Sequence, residues 1–393
     1  CAFLSPSALL VRIRRFRNPQ AAPRIVLLLL PPCASASSNS STSATESAVL
    51  EAMHAEMEAC AQHEPWNGCR INSLYFGGGT PSLLTAKELS FLLNTIHQHY
   101  TVDNCAEITL EANPEDVSFE SLREWQEAGV NRLSVGLQSF KPSDLEWMNR
   151  GHSAAQTIKC IENASTGGFK DISIDLMYGL PGLTIKEWAS HLEQVVYSNI
   201  THVSAYCLTV EKGTKLEREV KKGRRIVPED DIIEQQYKLL VSKLKSAGFE
   251  QYEVSNFARH NKYSKHNSAY WKGISYIGVG PSAHSFRVGY RRWNVSNNTR
   301  YIKNIKDLSP FHDDEFLCDK DVWNELFLTG LRTRWGVSKK TIESLGGFSK
   351  KEKALLKDYI TKGKIKEDAS SLRLEGDAFL FADGVAKDFF RTS

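Results

Sequence analysis

A chain of 393 residues with 41% hydrophobic and 24% charged residues can bury one large core and a small one; this composition is neither disordered nor fibrous. The formal net charge of +3 is too small to argue for nucleic acid or an anionic membrane as partner. The eight cysteines are scattered without a paired framework, which argues against a disulfide-stapled secreted scaffold and for a reducing compartment.

The first 45 residues contain no Asp or Glu, five arginines (Arg12, Arg14, Arg15, Arg17, Arg24) and then a Ser-rich tract. That composition describes an organellar transit peptide, so a mitochondrial or other organellar matrix location is expected, with the cytoplasm as the alternative. Translated non-coding sequence is the alternative, of nearly equal weight, and a first residue Cys1 instead of methionine is expected to mark an incomplete or mispredicted N-terminus. The apolar run 25–30 is short for a secretory signal and far short of a membrane span. No other stretch suggests a transmembrane segment.

From Glu46 the pattern becomes regular. Val49, Leu50, Met53, Met57 and Cys60 fall near helical spacing and predict a helix over 46–63. Then Leu74-Tyr75-Phe76 reads as a strand that breaks into Gly77-Gly78-Gly79-Thr80-Pro81. Further strand-like runs end at Glu111, Gln138, Asp175 and Tyr206-Cys207. Helical stretches separate them at 86–99, 119–128, 154–164 and 185–197. Strand–helix alternation with a polar or glycine element at each strand's C-terminal end predicts a parallel β/α barrel with its site on one rim. Beyond residue 319, helices around Val322–Leu328, 337–345 and 352–361, followed by short strands at Ile365 and 372–374, predict a small α+β module of winged-helix type. Its lysines 339, 340, 350, 351 and 353 are interleaved with Asp321, Glu343, Glu352 and Asp358. A solvated mixed-charge face is the better reading than nucleic-acid binding, and the module is expected to contact the barrel or a partner protein.

Taken together, Gly77-Gly78-Gly79-Thr80-Pro81, Glu111-Ala112-Asn113-Pro114, Gly136-Leu137-Gln138-Ser139-Phe140 and Asp175-Leu176-Met177-Tyr178-Gly179-Leu180-Pro181-Gly182 resemble the radical S-adenosylmethionine (SAM) enzymes. Within them the chain resembles the branch of HemW-type haem chaperones and oxygen-independent coproporphyrinogen III oxidases. The resemblance covers roughly residue 46 to the C-terminus. It implies a partial (β/α)6 barrel over 46–260, an extension over 261–318 that closes the barrel, and a winged-helix-like domain over 319–393.

The resemblance implies SAM contacts at Gly77, Gly78, Gly79, Thr80, Glu111, Gln138, Arg150 and Asp175. Each has a plainer reading as well: a tight turn for the glycines, a solvated carboxylate for Glu111, a surface cation for Arg150. A buried carboxylate such as Asp175 requires a partner, which a ligand would supply. His266-Asn267-Ser268-Ala269-Tyr270-Trp271 marks the HemW side of the family. It makes His266, Tyr270 and Trp271 haem candidates, with His284 as an alternative ligand. The plain alternative is a structural strand whose aromatics pack on the barrel. Gly278 to Ser285 is expected to form a glycine-loosened loop over the barrel's open end.

Members of this family carry CxxxCxxC after the first barrel strand to hold a [4Fe–4S] cluster, and no two cysteines here stand at that spacing. Cys33 sits about where the first of them would be, but the next two positions are Ser37 and Ser40, poor iron–sulfur ligands. A displaced or mispredicted N-terminal segment, a cluster-free relative, and recruitment of scattered cysteines such as Cys60 and Cys69 are the alternatives. As written, the chain is expected to be unable to cleave SAM. The implied function is haem binding and delivery to acceptor proteins, with an electron donor if a cluster is present. The alternatives are propionate decarboxylation of coproporphyrinogen III, and a non-catalytic SAM- or tetrapyrrole-binding protein.

Overall fold

A computed structural model describes residues 25–29, 40–63 and 66–392. Six strands run parallel in chain order: β1 (Ile25–Leu29), β2 (Arg70–Gly77), β3 (Thr101–Ala112), β4 (Arg132–Gln138), β5 (Ile172–Tyr178) and β6 (His202–Cys207). The longer helices between and after them are Ser40–Gln62, Ala86–His99, Phe119–Ala128, Ala154–Thr166, Ile185–Val196 and Asp230–Ser246, and a short helix, Pro142–Trp147, follows β4. This is an incomplete (β/α)6 barrel. Most of these helices start at a Ser or Thr whose hydroxyl accepts from the N3 backbone, as Thr85 does from Glu88 and Thr184 from Glu187.

The strands carry two contrasting faces. Leu74 and Phe76, Ile108 and Leu110, Leu133 and Val135, Ile172 and Ile174, and Val203 and Ala205 are buried in the main apolar core. The alternate residues are polar and also buried: Ser73, Glu107, Thr109, Arg132, Ser134, Ser173, His202 and Ser204. With side chains alternating across a strand, these line the barrel lumen. An apolar shell around a polar lumen is the architecture that positions the site.

Strand β1 is deeper in the fold than its low-complexity surroundings suggest. It pairs in parallel with β2, Leu29 opposite Gly77, and on its other side with β9 (Tyr276–Val279). The segment 25–29 therefore supplies the barrel's first strand, and Leu28 is fully buried. The helix expected over 46–63 begins at Ser40. Cys33 and Ser37 lie outside the described residues.

The sheet continues beyond the barrel at both ends. At one end stand the short strands β7 (Glu250–Gln251) and β8 (Asn256–Ala258), with β8 antiparallel to β6. At the other, β9 leads into β10 (His284–Arg287), β11 (Tyr290–Asn294) and β12 (His312–Phe316), all antiparallel. Two expectations are corrected here. His266–Trp271 lies in a helix (Lys265–Trp271) and not a strand, started by Ser264 Oγ accepting from Asn267 N–H at 3.1 Å. Residues 278–285 form a β-hairpin and not a loop: Gly278 is in β9, its N–H donates to Ser285 Oγ at 3.0 Å, and a Cβ there would strike the His284 carbonyl.

The C-terminal module has its own core around Trp323, Phe327, Val337 and Phe389. Its sheet is β13 (Val337–Ser338), β14 (Ile365–Glu367) and β15 (Ser371–Leu374), with β15 in the middle. Residues 337–338 are a strand, and the helix expected over 337–345 is confined to Lys339–Ser344. The module is joined to the barrel by backbone: Val254 N–H donates to Arg332 O and Arg334 N–H to Tyr252 O, both at 3.0 Å.

Candidate active site at the open end of the barrel

One cleft opens at the C-terminal ends of β2–β5. It is lined by Gly79, Thr80, Glu111, Gln138, Arg150 and Asp175, together with Ser134 and Asn113. Six of the eight residues expected to contact SAM thus converge, although they come from five separate stretches of chain. The other two stand immediately behind. Gly77 closes β2 so tightly that a Cβ would lie 2.7 Å from Tyr75 and 2.9 Å from Glu111 Oε1. Gly78 takes φ +95°, open to glycine, and its N–H donates to Glu111 Oε2 at 3.2 Å. The three glycines therefore have three roles: close packing, backbone reversal with an aimed donor, and lining of the cleft.

Glu111 also accepts from the Tyr75 hydroxyl at 2.6 Å. Burial pushes its carboxyl up, and the Tyr75 and Gly78 donors oppose the shift. Asp175 is pushed up to about 7, first by burial and then by the Glu111 carboxylate, against a hydrogen bond from Ser204 and the charges of Arg132 and Arg150. Two carboxylates sharing a desolvated pocket call for a cation between them. Opposite them, burial lowers Arg150, while Glu115 and Asp175 favour its charged form.

Gln138 is placed by a distortion. The β4–β5 register slips between Val135 and Gln138, and Gln138 has φ +68°, a left-handed conformation that non-glycine residues adopt at some strain. Gly136 makes room beneath: a Cβ there would meet Gln138 Nε2 at 3.0 Å and an Arg150 guanidinium nitrogen at 3.4 Å. The cleft thus combines two carboxylates, a guanidinium, an amide and a glycine cradle. That donor set suits a zwitterionic ligand with an additional positive centre, which describes SAM.

Deeper in the lumen lies a second polar layer. Arg132 Nε stands 3.5 Å from Asp171 and 3.9 Å from Glu107, ion pairs without a hydrogen bond, and neither Arg132 Nη2 nor the neighbouring Thr109 Oγ1 has a hydrogen-bond partner among the described residues. The strict alternation on β4 was the available signal for Arg132 and Ser134, which the motifs did not include. Glu107 accepts from the backbone N–H groups of Lys265 at 2.8 Å and His266 at 3.0 Å. Its carboxylate sits against the positive end of that helix.

The haem candidates separate. His266 is 2% exposed, stacks on Tyr75 with ring centroids 4.4 Å apart, and has Nδ1 3.4 Å from Ser73 Oγ. Burial and the Arg132 charge lower it to about 3, so it is neutral. Tyr270 is half-buried, edge-on to His266 and Tyr276, and Trp271 is half-buried under the Arg332 guanidinium. His284 is exposed on β10 beside Trp293.

Among the described residues no three His, Cys, Asp or Glu side chains are grouped to hold a metal ion. Cys60, Cys69 and Cys160 are buried separately, with Cys60 Sγ 3.2 Å from an Arg292 nitrogen. The described cysteines therefore do not fit an iron–sulfur cluster. No described helix is long and apolar enough to cross a membrane.

Comparison with known proteins gives the family and the fold. The radical SAM superfamily model matches residues 55–195, and the HemN C-terminal domain matches 317–381. The haem chaperone HemW of Bacillus subtilis is 36% identical over 323 residues, 80% of this chain and 84% of that protein. HemW of Mycobacterium tuberculosis is 33% identical over 339 residues, 86% of this chain and 85% of that protein. The mitochondrial radical SAM domain-containing protein 1 of Danio rerio is 39% identical over 231 residues, and the chain spans about half of its length (52%). In three dimensions the Escherichia coli coproporphyrinogen III oxidase HemN, a radical SAM enzyme, superposes with a TM-score of 0.78 over 98% of this chain and 93% of that one, at 18% identity, a likeness of fold. The chain belongs to the HemW family of radical SAM proteins.

Proposed function

We propose that this protein binds haem at the open end of its barrel and passes it to acceptor proteins, with SAM held in the polar cleft. The observation that carries this reading is the kinship to haem chaperones over most of both chains. Glu111, Asp175, Gln138 and Arg150 would hold SAM's charged methionine moiety and its ribose, and Gly78–Gly79 would admit it to the backbone. Bound there, SAM supplies an adenosyl group on a sulfonium centre. No step through a [4Fe–4S] cluster is assigned to the described residues. An electron donor enters the reading only with such a cluster. An organellar location is supported by the acid-free, Arg-rich first 45 residues and by vertebrate relatives named mitochondrial.

Of the haem candidates, His284 has the exposed imidazole, whereas His266 reaches a haem only if the helix Lys265–Trp271 leaves the lumen. Haem titration followed at the Soret band tests both. The wild-type chain is expected to bind haem, and His284→Ala to shift the band and weaken binding. His266→Ala is expected to lower the melting temperature while leaving the band in place. A chain that binds no haem overturns the reading, and a band lost only in His266→Ala transfers the ligand to that residue. The rival oxidase reading requires anaerobic conversion of coproporphyrinogen III. The non-catalytic reading rests on the sequence, in which no two cysteines stand at CxxxCxxC spacing.

A further inference from the structure

Between β6 and the helix Asp230–Ser246 runs a long, largely exposed segment, residues 208–229, with one short helix (Lys215–Lys221). It leaves the lumen wall where Leu208 N–H donates to Tyr178 O at 2.9 Å. Its far part is clamped elsewhere. The Arg225 guanidinium lies 4.6 Å over the Trp147 ring and donates to Trp147 O at 3.3 Å. Trp147 ends the short helix that follows β4, three residues before Arg150 of the cleft. Since β4, β5 and β6 are neighbours in the sheet, the segment starts beyond β6 and reaches back to the connection from β4. It straps the rim that carries Gln138, Asp175 and Tyr206.

Its charge is unlike that of the rest of the chain. Residues 208–229 hold seven cations and four acids, an excess equal to the net +3 of the whole molecule, and all seven cations fall within 212–225. The two acids among those cations are engaged: Glu217 with Lys221 at 2.6 Å, and Glu219 with Arg225 at 2.7 Å. Lys222 and Arg224, flanking Gly223 at φ +66°, are exposed, and their side chains have no ion-pair partner among the described residues. The rim of β5 and β6 carries two large side chains on this side. Tyr206, on the lumen phase of β6 and 43% exposed, is the register partner of Met177, and Ile226 on the strap is 80% exposed.

We propose that this strap is the anion-receiving edge of the haem site, with Lys222 and Arg224 binding the propionate carboxylates of a tetrapyrrole whose flat apolar body lies toward Tyr206 and Met177. The inference rests on the haem reading above and adds the recognition of the ligand's acidic edge. A planar, apolar dicarboxylate matches a strap with exposed cations over a rim that carries the exposed Tyr206 and the half-buried Met177. Fixing Arg225 on Trp147 holds the strap in register while leaving its two neighbouring cations available.

The test is titration of the full chain with haem and with haem dimethyl ester, whose propionates are uncharged. For Lys222→Glu/Arg224→Glu, haem affinity is expected to fall about tenfold, more at low salt, as for exposed charge pairs reversed in sign. Affinity for the diester is expected to be unchanged. The milder Lys222→Gln/Arg224→Gln variant is expected to show the same selectivity with a smaller loss, which guards against misfolding of the reversal variant. Equal haem binding by wild type and both variants, or parallel losses for haem and diester, overturns the strap proposal while the haem reading stands. A wild-type chain that binds neither ligand overturns both.

Discussion

Asp175 is the residue at which burial and chemistry meet most directly. Its carboxyl lies in the lumen beside Glu111 and is pushed up to about 7. In the unfolded chain it returns to the ordinary carboxylate range. The folded state therefore holds a proton that the unfolded state has released between those two values. Its contribution to stability is fully present below the ordinary range and is lost as pH rises through about 7. A cationic ligand selects the ionised form, so SAM affinity is expected to rise as pH increases through about 7. Asp175→Asn should flatten both profiles and weaken SAM, measured by calorimetric titration and thermal melts from pH 5 to 9. A wild-type affinity independent of pH would sink this assignment. At this scale much was legible beforehand: Glu111, Gln138 and Asp175 were read at strand ends and Arg150 through the family resemblance, and all four line one cleft. The bent backbone of Gln138 was not legible, because a left-handed glutamine has no signature in residue type.

At the scale of elements, the helix Ser40–Gln62 is held to the extension by one buried carboxylate. Glu56 is fully buried and accepts from Tyr301 Oη at 2.6 Å, Asn294 Nδ2 at 2.7 Å, Gly280 N–H at 2.9 Å and Arg292 at 3.2 Å. Four donors from the β9–β10 turn, β11 and the helix Asn298–Lys306 thus converge on one side chain. Burial raises its carboxyl, opposed chiefly by Arg292. Removing it strands a buried guanidinium, and breaking a buried pair in this way costs about 3–5 kcal/mol. Glu56→Ala is expected to lose stability of that order in denaturant unfolding, and a loss below about 1 kcal/mol would show that water replaces the carboxylate. Helical spacing marked Met53, Met57 and Cys60 as core but could not mark Glu56, since a carboxylate on that face reads as solvated until its partners are folded around it. The helix Phe119–Ala128 was legible to the residue because Ser118 starts it and Gly129, at φ +108°, ends it.

Across the whole molecule, the barrel and the C-terminal module share hydrogen bonds: Arg332–Arg334 lies against Tyr252–Val254, and Glu253 is buried between them. Separate cores with a backbone-bonded seam should unfold together, as one calorimetric transition whose van't Hoff and calorimetric enthalpies agree. Two resolved transitions would mean that the seam is weaker than its hydrogen bonds imply. The sequence by itself determined the alternation of strands and helices, the polar element at each strand end, and the two-phase strands that make a polar lumen inside an apolar shell. These follow from local periodicity, propensity and turn chemistry, all written within a dozen residues. Only the tertiary structure decided that 25–29 is an interior strand, that His266 is packed on Tyr75 beneath the cleft, and that Arg225 crosses to Trp147. Each of these joins residues far apart in the chain, and such contacts are chosen by burial and charge pairing after the elements assemble.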